Sequence, residues 1–238
     1  MWNSMRNKFN LALLLLCTMC MVSCTNWQEK YDADIADLAQ RADKQYEFVK
    51  EKLEEADLNG KVYSSGEDLP LEVALSFVLL APDTLPYTME CPSDILLSLN
   101  FVNENSDNLL YNYDEYISRT VKNKDDYEYC LRHFEHDVVK RLLDAKYLVV
   151  VEPLHTLKPA MSDGDSFEMG YILDKVSIYD MATSEKVKEL EVISRSSESL
   201  SEWVSDRKLS HFDNDKLMSN LQKNRKNVVL DKVLKSLP

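Results

Sequence analysis

A change of apolar period near Ala145 limits the fold more than any other feature of this 238-residue chain. Ahead of it, apolar residues recur at steps of three and four. Behind it they alternate or run together as β-branched stretches. Ile35, Leu38, Ala42, Tyr46, Val49, Leu53 and Ala56 make one helical stripe, which predicts a long amphipathic helix over 32–58 stopped at Asn59-Gly60. Leu71 to Ala81 is apolar almost throughout, and its Ala, Leu and Glu content with Pro70 ahead favours helix. Asp125 to Ala145 predicts a further helix, buried through Tyr127, Leu131, Phe134, Val138 and Leu142. Then Tyr147–Val151, Tyr171–Tyr179 and Val187–Ile193 read as three antiparallel strands. Asp213 to Leu237 closes the chain as a helix. The expected class is α+β: a helical N-terminal half, an antiparallel β-meander at about 146–197, and a C-terminal helix packed on one sheet face with the others.

Between these elements the signals are weaker. Lys61 to Asp68, with Ser64-Ser65-Gly66, reads as a loop, and Pro82, Pro86 and Pro92 break the next stretch. Ser93-Asp94 predicts a cap for a helix running through Ile95, Leu96, Leu99 and Val102.

Composition excludes several classes. Four glycines, at 60, 66, 164 and 170, form neither a phosphate-binding loop nor a dinucleotide fingerprint nor a nucleophile elbow. A net charge of −13 argues against a nucleic-acid partner, whose phosphates require Lys and Arg. No cofactor is expected.

The N-terminus carries an address. Arg6 and Lys8 precede an apolar run from Phe9 to Val22. That run is shorter than the ~20 residues of a membrane-spanning helix and matches the hydrophobic region of a secretory signal. It ends in Met21-Val22-Ser23-Cys24, which resembles the lipobox of bacterial lipoproteins, with Met21 where that family usually carries Leu. The resemblance implies diacylglycerol on Cys24, removal of residues 1–23 as a signal peptide, and a body moored by lipid in the bacterial cell envelope, at the outer membrane or a periplasmic face. Two or three acyl chains would make that attachment effectively permanent. Residues 24–31 then read as a tether and 32–238 as one domain. In such an oxidising compartment Cys91 and Cys130 could pair, closing a loop of roughly 39 residues for about 4 kcal/mol.

Candidate chemistry clusters in two places. In Arg132-His133-Phe134-Glu135-His136-Asp137, His133 and His136 are three apart and His133 and Asp137 four apart on the helix, a spacing weakly suited to a metal. Cys130, one turn earlier, would make a nucleophile and base with His133, although the same residues suit a solvated face. Tyr111-Asn112-Tyr113-Asp114-Glu115-Tyr116 is the one aromatic and polar cluster suited to a sugar or peptide, with Tyr111, Tyr113 and Tyr116 as contacts. Asp163-Gly164-Asp165 with Glu168 faintly resembles a calcium loop but suits a hairpin turn. The expected role is non-enzymatic: a binding or assembly component at the membrane, with a protein partner in the envelope. An envelope hydrolase would need a pocket where two carboxylates, or His133 and a carboxylate, converge. A structural tether or oligomer-former would need an exposed stripe on the 32–56 helix.

Overall fold

The computed structural model describes residues 26–80, 89–100, 108–161, 167–196 and 214–237. The signal segment, Cys24, Val102 and Asp163-Gly164-Asp165 lie outside them.

The first helix, α1, spans Trp27–Glu55, so it begins within the expected tether. Asn26 sets this start: its side chain accepts a bond from Glu29 N, satisfying one of the open N–H groups of the first turn. The helix ends at Glu55, ahead of Asn59-Gly60, because Asp57 Oδ1 gathers the N–H groups of Asn59 and Gly60 into a turn. Gly60 sits at φ +57°, and a Cβ there would lie 2.0 Å from Pro153 O, so the turn admits glycine alone. The predicted stripe is buried: Ile35, Leu38, Ala42, Tyr46 and Val49, joined by Tyr31 and Phe48. It is covered by the chain's own core, which removes the feature a tether would need.

Residues 61–68 are not wholly loop. Lys61–Tyr63 forms strand β1, parallel to the far end of strand β3, Tyr147–Leu157. Helix α2, Leu71–Leu80, forms where the sequence favours it. The helix expected over 93–102 is replaced by strand β2, Ile95–Leu97, and one 3-10 turn, Ser98–Asn100. The cause is long-range. All three strand residues are buried, and they pair in parallel with Tyr147, Leu148 and Val149. Between the two short strands, the edge of β3 would leave Val151 N bare. Ser98 Oγ accepts from it at 2.9 Å.

Helix α3 spans Leu109–Ser118 and α4 spans Lys124–His133. A π-helical segment, Phe134–Val139, continues α4 into α5, Lys140–Asp144. The π turn is explicit in the bond from Lys140 N to Glu135 O, five residues back. The buried face of α4 differs from the expected one: Cys130 is fully buried, and Leu131 is only half-buried.

A small hairpin pairs β4, Ala160–Met161, with β5, Phe167–Glu168. The central sheet runs through β3, β6 (Tyr171–Asp180) and β7 (Lys186–Arg195), all antiparallel, with β1 and β2 on the outer edge of β3. This is the expected α+β fold with two parallel edge strands added.

Helices cover both sheet faces rather than one. On β3, Leu148 and Val150 point to α1, α3 and α4, while Val149 and Val151 point to the C-terminal helix α6, Asn214–Ser236. The proposed Cys91–Cys130 disulfide fails on this geometry. Cys130 packs in the first cluster and Cys91 against the second, on opposite faces of the sheet, and both are free thiols. Among the described residues, no helix is long and apolar enough to cross a membrane.

Candidate functional site

The site is built where α3 meets the helix running from α4 through the π segment. Both helices are fixed by asparagine caps: Asn108 accepts from Tyr111 N, and Asn123 accepts from Asp126 N. The inner faces, with Tyr113, Tyr127, Cys130 and Phe134, are buried against α1. The outer faces enclose a half-open pocket of about 610 Å³. From α3 come Tyr111, Asn112, Glu115 and Tyr116. From the opposite wall come Tyr129, His133, Asp137 and Arg141.

That second wall is a row at steps of four. In a regular α-helix each such step drifts about 40° around the axis, so Arg141 would turn well away from Tyr129. The π turn between them rotates less per residue and reverses part of the drift. All four side chains therefore line one cavity. π segments recur at functional sites for this kind of reason.

Both carboxylates that line the pocket are paired, while its Arg141 is in none of the described ion pairs. His133 Nδ1 lies 2.6 Å from Asp137 Oδ2, so the ring nitrogen donates to the carboxylate. Arg119 Nη1 lies 3.2 Å from Glu115 Oε1. The Tyr129 ring rests 4.2 Å from the His133 ring. The Tyr116 phenol is pushed above its ordinary value, first by burial and then by Tyr129 and Asp137, with Arg119 opposing. Tyr116 thus stays a neutral hydroxyl. Its ring meets Phe134 and its backbone oxygen accepts from Tyr31 Oη at 2.6 Å, so this wall is anchored to the core. Tyr111 and Tyr129, in contrast, are 59% and 48% exposed at the rim.

The structure divides the residues singled out from sequence. Tyr111 and Tyr116 share the pocket with His133. Tyr113, turned about 200° from Tyr111 on the helix, is buried and stacks on Tyr46 at 3.7 Å. It instead joins a shallow groove of about 710 Å³ along α1 and α3, floored by Ile35 and Ala39 and edged by Asp43, Glu47 and Asp114. His136 is exposed and does not line the pocket with His133. Among the described residues no three His, Cys, Asp or Glu groups converge as a metal site. Cys130 Sγ faces Asp126 rather than His133, and burial pushes its thiol up. Arg141 and Tyr129 were missed from sequence; their only signal is the four-residue spacing with His133 and Asp137. No protein-family model, curated protein or solved structure matches the chain.

Proposed function

We propose that this protein is a lipid-anchored component of the bacterial cell envelope with a non-enzymatic binding role, and that the pocket between α3 and α4 is its binding site. One observation carries the binding role: three tyrosines from two helices, Tyr111, Tyr116 and Tyr129, share a concave polar surface. Two of them, Tyr111 and Tyr129, are exposed at the rim, where packing does not require an aromatic ring. The anchor rests on the Ser23-Cys24 sequence after an apolar run. The cap at Asn26 supports a short mooring, since two residues extended reach at most about 7 Å from Cys24.

A hydrolase is the weaker reading. The pocket does hold two carboxylates, but Glu115 is committed to Arg119 and Asp137 to His133. Neither stands in the apolar surroundings that an acid catalyst needs. Among the described residues, no Ser, Thr or Cys lines the cavity to act as a nucleophile. The shallow groove on α1, with its apolar floor and acidic edges, supports a protein partner as a second form of the same role.

Full-length protein should sediment with membranes, and Cys24→Ala should move it to the soluble fraction. Continued sedimentation of the variant overturns the anchor. Native mass spectrometry of detergent-extracted protein tests the pocket. A retained ligand mass that disappears in Tyr111→Ala/Tyr129→Ala supports the site, and a mass unaffected by the double variant overturns it.

A further inference from the structure

The geometry points to a neutral saccharide as the ligand of the α3–α4 pocket, an inference that rests on the pocket being a binding site at all. Charge decides the class. A phosphate or carboxylate ligand would need unopposed cations, yet Arg141 and His133 share the cavity with Glu115 and Asp137. An ammonium ligand would suit the three tyrosine faces, but it would want carboxylates free of cations. Here Asp137 is bound by His133 at 2.6 Å and Glu115 by Arg119 at 3.2 Å. In formal charge Glu115 and Asp137 balance Arg119 and Arg141, the last being the lining cation in none of the described ion pairs, so the cavity offers a bonding array with little net charge.

That array has the form a sugar ring requires. A pyranose presents an apolar C–H face and a rim of hydroxyls that both donate and accept. Tyr111 and Tyr129 put flat rings at the mouth, where such a face can stack. Tyr116, whose phenol stays neutral, and Asn112 line the wall between them. Paired carboxylates hold their positions and still have oxygen lone pairs to accept from ligand hydroxyls. The cavity volume, about 610 Å³, lies inside the range in which small-molecule ligands are enclosed. An extended apolar peptide would find little to bury here; the larger apolar floor lies in the separate groove on α1.

The test is calorimetric titration of detergent-extracted full-length protein. The probes are neutral trisaccharides (cellotriose, maltotriose, mannotriose and chitotriose), choline chloride, inorganic phosphate, and one acidic and one basic hexapeptide. At least one trisaccharide should bind. Tyr129→Ala should weaken it about tenfold by removing the stacking face, whereas Tyr129→Phe should change it by less than about threefold. Both positions are exposed, so the variants keep the fold, checked by circular dichroism. Trisaccharide binding that is indifferent to Tyr129→Ala and Tyr111→Ala overturns the proposal. So does silence from every trisaccharide. If choline, phosphate or a peptide then binds with the same Tyr129 dependence, the pocket stands and only the ligand class falls. Silence from every probe, together with no retained mass in the native spectra, removes both.

Discussion

On one face of the sheet, α6 lays Val228, Val229, Leu230 and Val233 over Val149, Val151, Val176 and Ile178, with one buried ion pair among them. On the other, α1, α3 and α4 bring a layer of tyrosines, and four of their hydroxyls reach an acceptor. Tyr31 bonds Tyr116 O, Tyr46 bonds Asp114, Tyr113 bonds Ala39 O, and Tyr127 bonds Asp34. The aliphatic face is closed by shape, and the ion pair, with the bonds from Asn224 to Arg195 O and from Met89 N to Asn227, fixes how α6 seats. The tyrosine face keeps polar atoms inside the packing. The same residue type that fills its core therefore continues outward to Tyr111, Tyr116 and Tyr129 in the pocket.

The contrast breaks most easily at the ion pair. Asp174 is fully buried and takes a two-pronged contact from Arg225, with Nη2 at 2.6 Å and Nε at 3.0 Å. Burial pushes the Asp174 carboxyl up, and Arg225 draws it back. Arg225→Met strands that carboxylate and should cost about 3–5 kcal/mol in urea unfolding. Asp174→Leu/Arg225→Met should recover most of the loss. A cost below about 1 kcal/mol for the single change would mean that the ion pair does not help to seat α6.

The tyrosine face should declare itself at high pH. Burial pushes Tyr113 up to about 12, and its bond to Asp34, then burial, pushes Tyr127 up to about 12. Tyr31 and Tyr46 are raised in the same direction, first by burial. A phenol whose folded value lies above its unfolded value near 10 holds its proton longer in the native state. Its stabilisation is complete below pH 10 and is lost as pH rises toward 12. Stability measured from pH 8 to 11.5 should fall across this window. Tyr113→Phe/Tyr127→Phe should be less stable at pH 8 and flatter above pH 10. An unchanged slope would show that these hydroxyls do not couple to folding.

Single hydroxyls should cost less. Tyr127→Phe gives up a 2.6 Å bond to a carboxylate, about 1.5–3 kcal/mol. Tyr31→Phe gives up a bond to a backbone oxygen, about 1 kcal/mol. Equal losses at both would say that charge on the acceptor adds nothing here.

These faces were legible in sequence to different depths. The stripe on α1 was readable because it repeats over about six turns and is satisfied wherever the partner lies. The strands of β3, β6 and β7 were readable as β-branched runs between polar turns. Ile95-Leu96-Leu97 was not, since three apolar residues suit helix and strand alike. Only the pairing with Tyr147–Val149, some 52 residues on, settles it. Pairing likewise turns Lys61–Tyr63 from loop into strand. The π turn leaves no mark in composition, yet it decides that Asp137 and Arg141 reach the pocket. Asp174 and Arg225 lie 51 residues apart and are unremarkable until the fold buries them. For the site, Tyr111, Tyr116 and His133 were readable as a rich choice of side chains. Their convergence was not, because it depends on how two helices pack.

The smallest stability effect is the most informative about the pocket. Tyr129 is 48% exposed and touches His133 at the rim, so Tyr129→Ala removes little buried area and no core contact. Its unfolding free energy should stay within about 0.5 kcal/mol of the native chain. Tyr127, two residues earlier on the same helix, should cost several times that when only its hydroxyl is removed. If Tyr129→Ala destabilised as much as Tyr127→Phe, the rim ring would be packing, and the outward continuation of the tyrosine face would need no ligand to explain it. If it left stability untouched while weakening a trisaccharide tenfold, the two tyrosines would separate what the face does for folding from what it does for binding.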